Sequence, residues 1–233
     1  FVFIYQWPET SINPISTKPQ FALSLTELIR DAKNFASTSI TNRLQVAREL
    51  CKTVLAFHTA GWLHKDIRSD NVMFFHENGW SMPYLTGFSF SRQDSPSEIS
   101  EQPSQEPLAD IYRHPHALGE PSTSFQKYMD MYSLGLVLLE LAEWKALKHI
   151  VAKCVDVKKI DSNIGVRLDS IAGIPKWLDK HIITAGQLKF RMGDIYADVV
   201  RTCLRYGMTA AEECPDTLPD LLRIVRTLER ICV

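Results

Sequence analysis

His64-Lys-Asp-Ile-Arg-Ser-Asp-Asn71 places two carboxylates, two cations, an imidazole and a carboxamide within eight residues. Its neighbours decide what kind of segment it is. Before it, Leu44, Ala47, Leu50, Cys51, Val54, Leu55 and His58 recur at helical spacing from Asn42 to about Ala60, and Gly61 ends the run. After it, Val72 to Phe75 and Tyr84 to Thr86 are short strand candidates joined through Glu77-Asn-Gly79. That is hairpin chemistry with a loop longer than the two-residue ideal. The eight residues are therefore a loop leading from a long helix into a β-hairpin.

Further out, Phe1-Val-Phe-Ile-Tyr5 is an aromatic and β-branched run stopped by Trp7-Pro8, which predicts a strand. Ser24-Leu-Thr-Glu27 is a capping box, so a helix starts there with Leu25, Leu28 and Ile29 as its apolar stripe. Gln93 to Asp110 differs in kind: four Ser, three Pro, five acidic residues and no basic one predict a mobile loop with too little apolar surface to order itself. Tyr128 to Trp144 is apolar nearly all round, as a helix at the centre of a domain must be. Trp177 to Ile183, Asp194 to Tyr206 and Leu218 to Ile231 predict further helices, the last with Leu218, Leu221, Leu222, Val225, Leu228 and Cys232 on one side. The core expected from these patterns contains Leu50, Val54, Leu63, Val72, Leu85, Leu134, Val137, Leu138 and Leu141.

Composition narrows the function. The 233 residues carry 26 Lys+Arg against 27 Asp+Glu, so no global field favours nucleic acid or an anionic membrane. No apolar stretch approaches the roughly 18 residues of a spanning helix; the most apolar, Met131 to Ala142, is interrupted by Ser133, Gly135 and Glu140. Five scattered cysteines without CxxC pairing imply reduced thiols and an intracellular protein, cytoplasmic or nuclear. The first residue is Phe1, without a signal peptide, which suggests a piece of something longer.

The spacing His-x-Asp…Asn, with a basic residue two after the Asp, resembles the catalytic loop of the eukaryotic protein kinases. In that family the Asp deprotonates the acceptor hydroxyl, the basic residue lies near the transferred phosphoryl group and the Asn holds a Mg²⁺. The resemblance implies Asp66 as base, Arg68 as phosphate contact and Asn71 as metal ligand, with His64 as a packing residue. Three more segments fall in family order. Gly87-Phe-Ser-Phe-Ser-Arg92 stands where Asp-Phe-Gly belongs, Tyr112-Arg-His-Pro-His116 resembles the end of an activation segment, and Asp130-Met-Tyr-Ser-Leu-Gly135 matches the Asp-x-x-Ser-x-Gly start of the central helix. There the Asp accepts backbone hydrogen bonds from the catalytic loop. The small-molecule aminoglycoside-type kinases share His-x-Asp…Asn, but they usually lack the basic residue and have no Asp-x-x-Ser-x-Gly helix.

The fold so implied is mainly α with a small β-hairpin, the C-terminal lobe of a protein kinase with the N-lobe absent or nearly so. One kinase-like domain would occupy 1–233: 1–8 as last N-lobe strand and hinge, 64–71 as catalytic-type loop, 87–116 as activation-type segment and 128–144 as central helix. Phe3 and Tyr5 would line the adenine slot.

The departures shape the functional expectation. Gly87 replaces the metal-binding Asp and has no side chain, Ser89 replaces the Gly, and His116 replaces the Glu of Ala-Pro-Glu, whose Arg partner after Cys203-Leu204 is not evident. Asp70 is an alternative carboxylate for a metal, but in the family that position usually points away. Cys51, His58, His114 and His116 lack the spacing of a metal site. The acidic Ser/Pro loop reads as a solvated loop, or as a phosphorylation switch paired with Arg92 or Arg113. Asp66 and Asn71 then read as structural ahead of catalytic. The expected function is a pseudokinase: a catalytically impaired, kinase-like regulatory or interaction module with a protein partner or fused domains. ATP and Mg²⁺ would be cofactors of a complete protein, with none bound by this chain. The alternative is an active ATP-dependent Ser/Thr-type kinase whose N-lobe lies upstream of residue 1.

Overall fold

The computed structural model describes residues 22–30, 39–75, 82–95, 106–119, 124–156, 158, 168–210, 213 and 215–231. It is mainly helical with two small antiparallel sheets. The strand expected at residues 1–5, the adenine-slot residues Phe3 and Tyr5, and the turn at 77–79 lie outside the described residues.

Strand β1 (Ala22–Ser24) runs into helix α1 (Leu25–Arg30) through the capping box. The Ser24 N–H and Oγ–H donate to Glu27 Oε2 at 2.7 and 2.9 Å, and the Glu27 N–H donates to Ser24 Oγ at 3.2 Å. Two orphan donors of the first turn are thereby satisfied, and Leu25, Leu28 and Ile29 are buried. Helix α2 (Ile40–Thr59) starts two residues before the apolar periodicity, because Ser39 caps it by accepting from the Asn42 N–H at 3.1 Å. A two-residue strand β2 (Trp62–Leu63) follows, then the 64–71 loop, then the pair β3 (Val72–Phe75) and β4 (Tyr84–Leu85) with Val72 opposite Leu85. The two expected hairpin strands are thus part of a three-stranded sheet with β3 at its centre, since β1 adds to the other edge of β3. Three residues carry no alternation to read, so only the tertiary pairing reveals that strand.

The acidic segment is corrected at both ends. Gln93 belongs to β5 (Arg92–Gln93), which pairs with β2, and Pro107–Asp110 forms the short helix α3 with Pro107 and Ala109 buried. Helix α4 (Lys127–Glu143) is the centre of the domain, and every residue from Tyr128 to Ala142 is buried. Around it lie α5 (Leu147–Ile150), α6 (Leu168–Ala172), α7 (Ile174–Leu178, continued by one π turn, Asp179–Ile183), α8 (Gln187–Leu204, interrupted at Gly193) and α9 (Leu218–Glu229). In α9 the buried stripe is Leu221, Ile224, Val225 and Leu228; Leu222 lies off it and is exposed. All nine residues expected in the core are buried.

Each fixed residue of the Asp130-Met-Tyr-Ser-Leu-Gly135 stretch makes a different connection. The Asp130 carboxylate receives the 64–71 loop, and the Ser133 hydroxyl donates to the Tyr112 carbonyl at 2.8 Å. Gly135 lets α8 approach: a Cβ there would stand 2.7 Å from Cys203 Cβ and 3.2 Å from the Leu204 backbone nitrogen. Neither neighbour is the flexible end of a side chain, so the helices must separate to admit a methyl group. Gly135→Ala is expected to cost about 1–3 kcal/mol, the usual penalty of overpacking, despite the better helix propensity of alanine. Urea melts of parent and variant measure it, and the loss should appear in the midpoint with the slope unchanged.

Candidate functional site

The start of the 64–71 loop is held to the core by a buried carboxylate. Asp130 is fully buried; its Oδ2 accepts from the His64 N–H at 2.8 Å, its Oδ1 accepts from the Lys65 N–H at 2.9 Å, and His58 Nε2 lies 3.2 Å from Oδ2. Lys65 has φ +70°, a left-handed conformation that costs a non-glycine residue free energy and persists only when its surroundings enforce it. The two hydrogen bonds to Asp130 supply that enforcement.

His64 is a structural member of the loop. Its Nδ1 accepts from the Asp66 N–H at 3.2 Å, so the proton sits on Nε2, which donates to the Thr86 carbonyl at 3.0 Å. Burial lowers its pKa and keeps the ring neutral. Phe88, from the segment beginning at Gly87, packs on it with ring centroids 5.0 Å apart, and Phe57 of α2 touches both. The loop and the 87–90 turn are thus joined through one imidazole.

Asp66, Arg68 and Asn71 come together at the open end of this arrangement. Asn71 Nδ2 donates to the Asp66 backbone carbonyl and to its Oδ2, both at 2.8 Å. Arg68 Nε lies 3.4 Å from Asp66 Oδ1, close enough for an ion pair although not aligned as a hydrogen bond, while Nη1 reaches Glu106 at 3.2 Å. Burial raises the Asp66 pKa, with Arg68 and the Asn71 amide opposing. Gly87 adopts φ +82° directly against Asn71: a Cβ on it would lie 2.4 Å from Asn71 Cγ and Nδ2 and 2.7 Å from Oδ1. The amide of Asn71 thus stands where a side chain at 87 would begin. Among the described residues no group of three or more His, Cys, Asp and Glu side chains could hold a metal ion.

The residues weighed as metal ligands have other partners. Cys51 is buried in the core, His58 faces Asp130, and His116 Nδ1 lies 3.2 Å from the Tyr128 hydroxyl. Buried His114 accepts from the His116 N–H through Nδ1 at 3.1 Å and donates from Nε2 to the Tyr206 carbonyl at 2.8 Å. Burial pushes its pKa down to about 4, so this bond is neutral at ordinary pH. It ties the 112–116 segment to the turn after α8.

A buried polar chain beside the loop escaped the sequence reading. Thr26 Oγ1 lies 2.7 Å from Ser69 Oγ, Ser69 Oγ lies 2.8 Å from the Tyr112 hydroxyl, and that hydroxyl donates to Glu140 Oε1 at 2.8 Å. The Leu147 N–H donates to the same oxygen at 2.7 Å, whereas Oε2 has no partner among the described residues. Burial pushes the Glu140 pKa up to about 8 against these favourable bonds. The available signal was a carboxylate inside the otherwise apolar run of α4.

Two comparisons bear on this arrangement. A family model described as "Domain of unknown function (DUF7580)" matches residues 4–227. A receptor protein kinase-like protein of Arabidopsis thaliana, At4g34220, is 26% identical over 200 residues, covering 82% of this chain. The chain spans 23% of that relative's length.

Proposed function

This chain belongs to the DUF7580 family, and we propose that it is a protein-kinase-like domain of the C-terminal-lobe type whose phosphoryl-transfer site is disabled, serving as a regulatory or interaction module. The observation that carries the reading is Gly87 against Asn71. A kinase metal site needs a carboxylate at 87 and a free amide oxygen at 71. Here the first is absent, while the Asn71 Nδ2 donates to the Asp66 backbone carbonyl and carboxylate. Mg²⁺ requires near-octahedral oxygen ligands. Losing ~3–4 kcal/mol of transition-state stabilisation slows transfer roughly a hundred- to a thousandfold. The motif order and the kinase-like relative support the kinase part of the reading. Among the described residues no helix is long and apolar enough to cross a membrane. The near-neutral charge offers nothing to nucleic acid, so a protein partner or fused domain is the occupant we assign. The free thiols of Cys51, Cys154 and Cys203 favour the cytoplasm or nucleus.

A second reading, an active Ser/Thr-type kinase completed by an upstream N-lobe, draws on Asp66, Arg68 and Asn71 remaining within reach of one another. Autophosphorylation of the full-length protein separates the two. The expected result is background signal in both parent and Asp66→Asn, with no Mg²⁺-dependent rise in melting temperature at millimolar ATP. Parent activity that disappears in Asp66→Asn would establish the enzyme instead.

A further inference from the structure

Arg92 is a buried cation held by neutral groups. Only 9% exposed, it donates from Nη1 to the carbonyls of Gln93 at 2.8 Å and Ser95 at 3.4 Å. Its Nη2 donates to the Phe125 carbonyl at 3.2 Å and to the Ser124 hydroxyl at 2.8 Å. Among the described residues no carboxylate pairs with it, and its Nε has no partner. A guanidinium taken out of water is normally compensated by an anion, because dipoles alone replace its hydration poorly. The nearby Asp94 is engaged with Lys127 at 3.2 Å. Ser124 itself is exposed.

The surroundings of the Ser124 hydroxyl are positive on one further count. It lies two residues before Gln126, the N-cap of the 17-residue helix α4, and Gln126 makes no side-chain cap. The partial positive charge of that helix start therefore stands beside it. Lys127, the first residue of the helix, is already paired with Asp94 and adds no free charge there.

We propose that Ser124 is a phosphorylation site whose phosphate is received by Arg92. A separate protein kinase would supply the group: Ser124 Oγ attacks the γ-phosphorus of a nucleoside triphosphate, the new O–P bond forms as the β–γ bridging bond breaks, and the nucleoside diphosphate leaves. The hydroxyl proton passes to that kinase's base. The phosphate, carrying about −1.5 to −2 charge, converts a neutral contact to Arg92 into a charge-assisted one. The modification would clamp the segment after β5 to the start of the central helix and so rigidify the face on which the acidic 93–110 stretch begins. It requires no activity of this domain's own.

The test uses the whole chain with phosphoserine incorporated at 124 by codon reassignment. The expected result is a melting temperature several degrees above the unmodified chain, a gain lost in Arg92→Gln and diminished in high salt. Because Arg92→Gln is itself a buried change, ³¹P NMR of the phosphorylated parent gives an independent reading: the second phosphate pKa should fall below its ordinary value of about 6 beside the guanidinium. A phosphate that titrates like free phosphoserine and leaves the melting temperature unmoved would overturn the Arg92 contact. Phosphopeptide mapping of the chain from its own cells completes the test, since a Ser124 unmodified under every growth condition would overturn the site.

Discussion

Asp130→Ala is expected to destabilise the domain by about 3–5 kcal/mol, among the largest effects a single truncation produces. The loss is not one hydrogen bond. The His64 and Lys65 N–H groups and the Nε2 of His58 all lose their buried partner. Each unsatisfied donor costs about 1–3 kcal/mol. Lys65 would also lose what holds it at positive φ, so the loop should relax toward ordinary backbone and carry Asp66 with it. Asp130→Asn keeps one acceptor oxygen but turns an amide N–H₂ toward a donor, and should fall between parent and alanine. Urea melts check both, and hydrogen exchange at the 64 and 65 amides should accelerate in the alanine variant even below the unfolding transition. A variant within a few tenths of a kcal/mol of the parent would mean that the loop stands without its anchor.

The second large effect depends on pH. Glu140 holds its proton up to about pH 8 in the folded chain, against an ordinary value of 4.5 once unfolded. Between those values the unfolded state binds fewer protons than the folded one, so stability falls as pH rises. The contribution is intact below about 4.5 and is lost progressively toward 8. Glu140→Gln retains an acceptor for Tyr112 and Leu147 and has no charge to suppress. The variant should match the parent near pH 5 and exceed it at pH 8 by on the order of 2–4 kcal/mol. Denaturant melts at pH 5, 6.5 and 8 read the widening gap directly. Equal slopes for the two chains would show that Glu140 is charged in the fold, its cost met by the donors around Oε1.

How much of this was legible beforehand follows from the range of the interactions. Helix α2, the capping box of α1 and the wholly apolar α4 were readable because each is decided within a few residues: spacing, a serine three before a glutamate, an absence of polar faces. The order of Asp66, Arg68, Asn71, Gly87 and Asp130 was readable for the same reason, being a matter of identity and spacing along the chain. Strand β1 was not, because three residues become a strand only when β3 offers an edge. The start of the acidic stretch and its last four residues have the polar composition of a loop; pairing with β2 and the burial of Pro107 and Ala109 override it.

The sequence by itself determined the mainly helical fold, its core residues and the glycine at 87. Only the tertiary structure placed the Asn71 amide where a side chain at 87 would begin, since the two residues are sixteen apart in the chain and a Cβ on Gly87 would lie 2.4 Å from that amide. The same holds for Glu140 and Arg92. A carboxylate or guanidinium in a sequence is merely a charge, and whether it is buried, neutralised or left among carbonyls depends on which distant elements close over it.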